Sequence, residues 1–327
     1  MIDFYSLIKD TDAYLTVLND KKKGTLSHAY LIVLPDEENL KEYLKVFAKL
    51  ILCKEDSPCN NCRSCSLIDS ESYRDVLFFP EKDGDVKVAD VNKLIEESYF
   101  KPVEGDKKLF ILSSAHTMNA QAQNKLLKTL EEPPKNVHII LGATSEFPLL
   151  STIKSRVKKL EIASFSNDKI FNALKGDCAD LEKLEKAVAC GDGTISKALA
   201  LYGDENLNAI SSLVLDMLEN MKTSREILKY SLKISKLKGD FMDFLSVLEL
   251  YFRDMLVYFN GKKEKVLNKE ILNSPALSVG YNASSCVYAL KKIEEAKIRK
   301  KFNANATMLL EWLLFQILEG KHKWRKL

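Results

Sequence analysis

The first half of the chain alternates between two hydrophobic periods, and no other feature limits the possible folds as tightly. Five short apolar, β-rich runs recur there: HAYLIVL (28–34), DVLFFP (75–80), KLFILSSA (108–115), VHIILGAT (137–144) and VKKLEIAS (157–164). The segments between them carry a helical period. In DEENLKEYLKVFAKLIL, Leu40, Tyr43, Leu44, Phe47 and Ile51 fall at i, i+3, i+4, i+7 and i+11, which lines one face of a helix. Strands buried on both faces read as apolar runs, and helices between them supply the crossovers that parallel strands require. The alternation predicts an α/β domain with a largely parallel sheet.

From about Phe165 the strand signal disappears. LEKLEKAVACGDGTISKALALYG (181–203) is helical on either side of Gly191-Asp192-Gly193. Farther on, Ile210, Leu213, Val214, Met217, Leu218 and Met221 share one helical face, and Phe241, Phe244, Leu245, Leu248, Phe252, Met255 and Phe259 share another. The segment Met308–Leu318 is apolar nearly all round, which predicts a buried helix. The sequence has no internal repeats or low-complexity linkers. Boundaries near 165 and 205 give three parts: an α/β domain (1–164), a small helical domain (165–204) and a helical bundle (205–327).

Charge is high but balanced, with 49 basic against 46 acidic residues and a net charge of +3. That excludes a strongly basic, tail-driven nucleic-acid binder and leaves a local basic patch open. The N-terminal MIDFYSLIKDTDAYL has no basic segment followed by an apolar one, so no signal peptide is read there. MLLEWLLFQIL (308–318) is too short to span a bilayer and contains Glu311 and Gln316. These features predict a cytosolic protein that does not enter a membrane. In that reducing compartment the seven cysteines should not pair as disulfides.

Four of the cysteines, Cys53, Cys59, Cys62 and Cys65, fall within thirteen positions as C-x5-C-x2-C-x2-C. Four converging thiolates suit a closed tetrahedral Zn²⁺ site, which is structural because it leaves no open position. Pro58 and Asn60-Asn61 fit the tight turns between ligands. The alternatives are ordinary reduced cysteines or an iron–sulfur cluster. Cys178, Cys190 and Cys286 are isolated and read as packing or surface residues.

The corner after the first apolar run is where many nucleotide-binding folds carry a phosphate loop, G-x-x-x-x-G-K-[ST]. This chain has Leu34-Pro35-Asp36-Glu37-Glu38-Asn39-Leu40-Lys41, with no glycine and three consecutive carboxylates. Such a corner repels triphosphate and lacks the glycines that allow close backbone approach. In the first turn of a helix, the acids would instead satisfy free N–H groups and the macrodipole. The Gly-Lys pairs elsewhere, Gly261-Lys262 and Gly320-Lys321, lack the upstream glycine and the following Ser/Thr. LFILSSAH ends in Ser113-Ser114 where an acidic pair would hold Mg²⁺ and activate water. The sequence predicts no ATP bound in cis and no independent hydrolysis.

NKLLKTLEEPPKNVHIILGATSEFPLLSTIKSRV (Asn124–Val157) resembles a diagnostic block of the clamp-loader AAA+ proteins of bacterial DNA polymerase III. The likeness extends through SHAYL (27–31), the cysteine module and AHTMNAQAQNKLL (115–127). It covers the first half closely. GDGTISKALAL and FNANATMLLEWLLFQIL are similar, with less specificity, to the lid and collar domains of the family. The resemblance implies an AAA+ (RecA-like) core, a helical lid at 165–204 and an oligomerising collar at 205–327. A chain without phosphate loop or acidic pair, but with the zinc module and the Ser-Arg motif, resembles the delta-prime branch.

The resemblance also assigns roles. Ser155-Arg156-Val157 matches two of the three residues of a Ser-Arg-Cys element, with valine replacing the cysteine. The family role makes Arg156 an arginine finger acting in trans on ATP held by the neighbouring subunit; without that context, Arg156 reads as a solvated residue in the basic stretch Lys154 to Lys159. Thr144 matches a nucleotide-sensing position and reads as a structural remnant. The segment Ala120 to Glu132 predicts a helix stopped by Pro133-Pro134. Lys125 and Lys128 on it either track DNA phosphates or line a solvated face. His28 and His116 read as loop histidines with local hydrogen bonds.

Together these imply a non-hydrolysing stator in a hetero-pentamer with motor (gamma/tau) and delta subunits, meeting the sliding clamp and primer-template DNA through the complex. The rival readings are an ATPase motor subunit and a zinc-module nucleic-acid-binding protein outside any loader.

Overall fold

The computed structural model describes residues 2–82, 84–204, 206–236, 241–277 and 280–324. The chain divides into two compact units, Met1–Asp177 and Cys178–Leu327.

In the first unit, each of the five apolar runs contains a strand: β1 (Ala29–Val33), β2 (Val76–Phe79), β3 (Lys108–Leu112), β4 (Val137–Ala143) and β5 (Lys158–Glu161). They form one parallel sheet in the order β2-β3-β4-β1-β5. Interior strands are buried except at half-buried Val33 and His138, whereas edge strand β5 exposes Lys158, Lys159 and Glu161. Charge on an edge blunts further strand pairing. This order, with helical crossovers, is the RecA-like core of AAA+ proteins, as the sequence predicts.

Helices α1 (Phe4–Ile8), α2 (Asp12–Lys22), α3 (Leu40–Leu52), α4 (Arg63–Asp69), α5 (Val88–Ser98), α6 (Ala120–Glu131), α7 (Ser151–Lys154) and α8 (Asn167–Leu174) surround the sheet. Helix α3 buries Leu40, Tyr43, Leu44, Phe47 and Ile51, the periodic set. It sits so close to β4 that a Cβ on Gly142 would lie 2.5 Å from Leu44 Cδ1 and 3.1 Å from the Ser113 carbonyl. Helix α6 opens on Asn119, whose side chain accepts from the Ala122 N–H at 2.9 Å, and closes at Glu131 before the two prolines.

The second unit holds α9 (Leu181–Cys190), α10 (Ile195–Gly203), α11 (Asn206–Asn220), α12 (Ser224–Ser235), α13 (Phe241–Phe259), α14 (Ala283–Lys301) and α15 (Ala306–Lys323). Ala187, Cys190 and Leu201 share one hydrophobic core with Ile210, Met217, Phe252 and Leu313. The α9–α10 turn puts Asp192 at φ +51° and Gly193 at φ +75°. Lys297 bridges Asp192 and Glu249, at 3.4 and 2.6 Å.

Helix α15 departs from the expectation of burial all round. It buries Leu309, Leu310, Leu313, Leu314, Ile317 and Leu318 but leaves Met308 72% and Phe315 45% exposed. Apolar residues surround the helix, yet its packing against α12 and α14 covers one side. No described helix is long and apolar enough to cross a membrane.

Candidate functional site

The four clustered cysteines converge. Their sulfurs all lie within 4.8 Å of one another. Cys53 Sγ is 3.6 Å from Cys59 Sγ and 3.9 Å from Cys62 Sγ. A tetrahedral ion with Zn–S bonds of about 2.3 Å sets its sulfurs about 3.8 Å apart, so the donor set fits. Cys53 ends α3, Cys62 caps α4, and Asn60 takes φ +56° in the turn between Cys59 and Cys62. The Cys62 N–H donates to Cys59 Sγ at 3.3 Å and the Cys65 N–H to Cys62 Sγ at 3.4 Å. Backbone donors from Asn61 and Cys62 hold the Cys59 thiol down at about 6, while burial pushes Cys65 up to about 12. A bound divalent cation supplies the charge that lets such a buried thiol ionise.

Residues outside the motif anchor this module. Lys21 from α2 donates to the Cys53 carbonyl at 2.7 Å and also to the Glu55 carbonyl. Lys49 reaches Asn60 Oδ1 at 3.1 Å. The Arg63 guanidinium pairs with Glu104 at 3.1 Å. Glu104 lies in a loop held by the fully buried Asp75, whose carboxylate accepts the N–H groups of Val103, Glu104 and Gly105 at 2.7, 2.7 and 2.9 Å.

The acidic corner is filled by its own side chains. The acids do not lie in the first turn of α3, as the sequence suggests; they form the turn before it. The helix begins at Leu40, and Asn39 at its N-cap makes no side-chain cap bond. Asp36 is only 1% exposed and accepts from Asn39 Nδ2 at 3.1 Å and from the Tyr43 hydroxyl at 3.2 Å. Burial, reinforced by the Asp36 charge, pushes the Tyr43 phenol well above its ordinary range. Glu37 lies 3.5 Å from His116 Nε2, and Lys41 turns away to Glu71 at 2.6 Å. Leu34 is buried, and Glu38 is exposed. A cleft of about 350 Å³ remains, lined by Glu37, Glu38, Lys41, Asp85, Ser113 and Ser114. The Ser113 hydroxyl donates to the Phe79 carbonyl at 3.2 Å. A cleft with three carboxylates and no glycine on the α3 corner is a poor host for triphosphate.

Arg156 follows α7 on the same unit. Its Nη2 pairs with Glu131 Oε1 at 2.6 Å, and its Nη1 donates to the Thr152 carbonyl at 3.0 Å and the Ser155 hydroxyl at 3.2 Å. Val157 turns inward to the core at 9% exposure, where valine and cysteine are both small apolar plugs. The chain leading into α7 is fixed by the buried Gln123, which donates to the Met118 and Pro148 carbonyls at 2.9 and 3.1 Å and accepts from the Leu150 N–H at 2.7 Å.

Among the remaining predicted residues, His116 Nδ1 accepts from the Thr144 N–H at 3.4 Å, so its partners are brought by the fold and not by the local loop. His28 Nε2 is buried with no hydrogen-bond partner among the described residues, against the expected local bond. Lys125 and Lys128 lie on the exposed face of α6, with Lys125 donating to Asn92 at 2.8 Å. Lys21, Asp75, Gln123 and Glu131 escape sequence reasoning. The first two lie about 30 residues from their partners. Glu131 carries one local signal, its place inside LEEPP.

The family described as "DNA polymerase III, delta subunit" matches residues 10–166. DNA polymerase III subunit delta' of Bacillus subtilis (strain 168) is 28% identical over 312 residues, 92% of this chain and 94% of that protein. Subunit tau of the same organism is 25% identical over 348 residues, 94% of this chain and 60% of that longer protein. A gamma subunit-related protein from Thermotoga maritima has 19% identity and a TM-score of 0.44, covering 95% of this chain and all of that one (100%). The strand order, the cysteine module, the Asn124–Val157 block, the match over residues 10–166 and the two Bacillus subtilis subunits agree: over most of its length the chain is similar to the clamp-loader subunits of DNA polymerase III.

Proposed function

We propose that this chain is the delta-prime stator of a bacterial DNA polymerase III clamp loader, a cytoplasmic subunit that does not burn ATP. The observation that carries the reading is the acidic corner: buried Asp36, tied to Asn39 and Tyr43, occupies the place where a phosphate loop would bind nucleotide. The chain joins motor (gamma/tau) subunits and delta in a hetero-pentamer through its collar, 205–327, with 165–204 as the lid. It donates Arg156, with Ser155 beside it, to ATP on a neighbouring motor subunit. A guanidinium stays charged at every working pH and matches phosphoryl oxygens. The complex then opens the sliding clamp and places it on primer-template DNA. Cys53, Cys59, Cys62 and Cys65 hold a structural Zn²⁺, which by closing four ligands into one knot fixes the end of α3.

The tau relative, matched along 94% of this chain, favours a second reading as a motor subunit. Two measurements separate them. The isolated chain is titrated with ATP, and clamp- and DNA-stimulated ATPase is measured in a loader reconstituted with cognate motor and delta subunits. The stator reading expects no ATP binding in isolation, and a loss of roughly tenfold or more in stimulated turnover for Arg156→Ala at equal assembly. ATP binding by the isolated chain favours the motor; unchanged turnover reduces Arg156 to surface charge.

A further inference from the structure

Two points of α6 govern Arg156. Near its start, buried Gln123 pins the chain at Pro148 and Leu150, which sets where α7 begins. At its end, Glu131 takes hold of the guanidinium itself. Thr152 and Ser155 hold Nη1 from the other side. The flexible side chain is therefore clamped at both terminal nitrogens. A guanidinium carries five N–H donors in one rigid plane, and these contacts use three. Nε–H and the second Nη2–H have no partner among the described residues, and the Arg156 side chain is 34% exposed.

The pair adds little to stability. With side chains 34% and 48% exposed, it belongs to the class of solvent-screened surface pairs. What it fixes is orientation. We propose that Glu131 is the positioning residue for Arg156: it holds the plane of the guanidinium so that the two unused donors meet an anionic phosphoryl oxygen on a neighbouring subunit in one pose. This rests on the arginine-finger reading above. A carboxylate beside a guanidinium could also act oppositely, as a competing anion that the phosphoryl group must displace, and the two roles move turnover in opposite directions.

The experiment uses the reconstituted loader with clamp and primed DNA, and compares Glu131→Gln, Glu131→Asp, Arg156→Ala and the Glu131→Gln/Arg156→Ala double variant, each first shown to assemble with wild-type stoichiometry. Positioning predicts that Glu131→Gln lowers stimulated kcat by about tenfold, because small misplacements of a reacting group are costly. KM for ATP stays within about twofold, and Glu131→Asp restores part of the rate. The double variant is no slower than Arg156→Ala alone, since the glutamate acts through the arginine. Wild-type or raised turnover in Glu131→Gln overturns the proposal, as does a double variant whose losses multiply. If Arg156→Ala itself is unimpaired, the finger reading falls and this inference with it. If Arg156→Ala is crippled while Glu131→Gln is not, only the positioning role is lost.

Discussion

The two ends of α3 meet opposite partial charges by opposite means. A helix carries partial positive charge at its N-terminus and partial negative charge at its C-terminus. At the N-terminal end the anion comes from the adjoining turn: Asp36 is buried and fixed by Asn39 and Tyr43, three and seven residues away. At the C-terminal end the cation is imported, because Lys21 crosses from α2 to the Cys53 carbonyl, 32 residues distant. There too, four sulfurs gather within 4.8 Å in a geometry complementary to an ion from solution. One end is complete within a few residues of sequence; the other depends on distant chain and on a ligand. An end of the first kind should withstand loss of ligand, and an end of the second kind should not.

The largest effect should come from metal at the C-terminal end. Cys65→Ser, or a strong chelator, should remove one equivalent of zinc and destabilise the first unit by about 4 kcal/mol when free metal stands about 1,000-fold above its Kd. Metal analysis with thermal unfolding reads this out; an unchanged melting curve would make the two ends alike. Next, Gly142→Ala should cost about 1–3 kcal/mol by pushing Leu44 and the N-terminal half of α3 off β4. Its denaturant midpoint should fall while zinc content stays constant. Asp36→Asn should cost about 1 kcal/mol, through weaker bonds to Asn39 and Tyr43, and should leave the isolated chain unable to bind ATP. Nucleotide binding by that variant would mean that charge alone, and not the missing glycines, closes the corner.

The smallest effect is a pH dependence. His138 shares a pocket with Lys21, Ile51, Leu52 and Cys53 at the C-terminal end of α3. Burial lowers its pKa below the ordinary 6.5; the Ser27 carbonyl, 2.8 Å from Nδ1, opposes this, and the Lys107 and His28 charges add to it. Folding therefore favours the neutral ring. Stability from this group is intact above about pH 6.5 and declines as pH falls below that value toward the folded pKa, because the unfolded chain takes up the proton first. His138→Gln should flatten the stability profile in that window, as followed by urea midpoints from pH 7 to pH 5.

What was legible in the sequence follows from how local the determinants are. The three interior strands are apolar runs and the two edge strands keep enough apolar residues beside them, so all five are legible and their parallel pairing follows. The cysteine spacing revealed its convergence because C-x2-C steps leave the sulfurs few places to go. The sequence alone places the start of α3 too early, because acidic residues suit both a first helical turn and the turn before it; a backbone hydrogen bond from Leu40 N–H to the Glu37 carbonyl, at 3.2 Å, marks that preceding turn. The exposed side of α15 was not legible, since Met308 and Phe315 look like core residues until the number of covering helices is known. Glu131, Asp75 and Lys21 act across tertiary contacts between unremarkable charged residues, which periodicity does not register.

The buried Asp36–Tyr43 contact also bears on reversibility. A substitution that frees the corner for phosphate removes the acceptor of the Tyr43 hydroxyl, and that hydroxyl is enclosed between α3 and its preceding turn. Stranding a buried donor costs about 1–3 kcal/mol before a single glycine of a phosphate loop has been regained. Each step back toward nucleotide binding thus begins with a loss of stability and no gain in affinity. The contact works as a ratchet against building a phosphate loop at this corner.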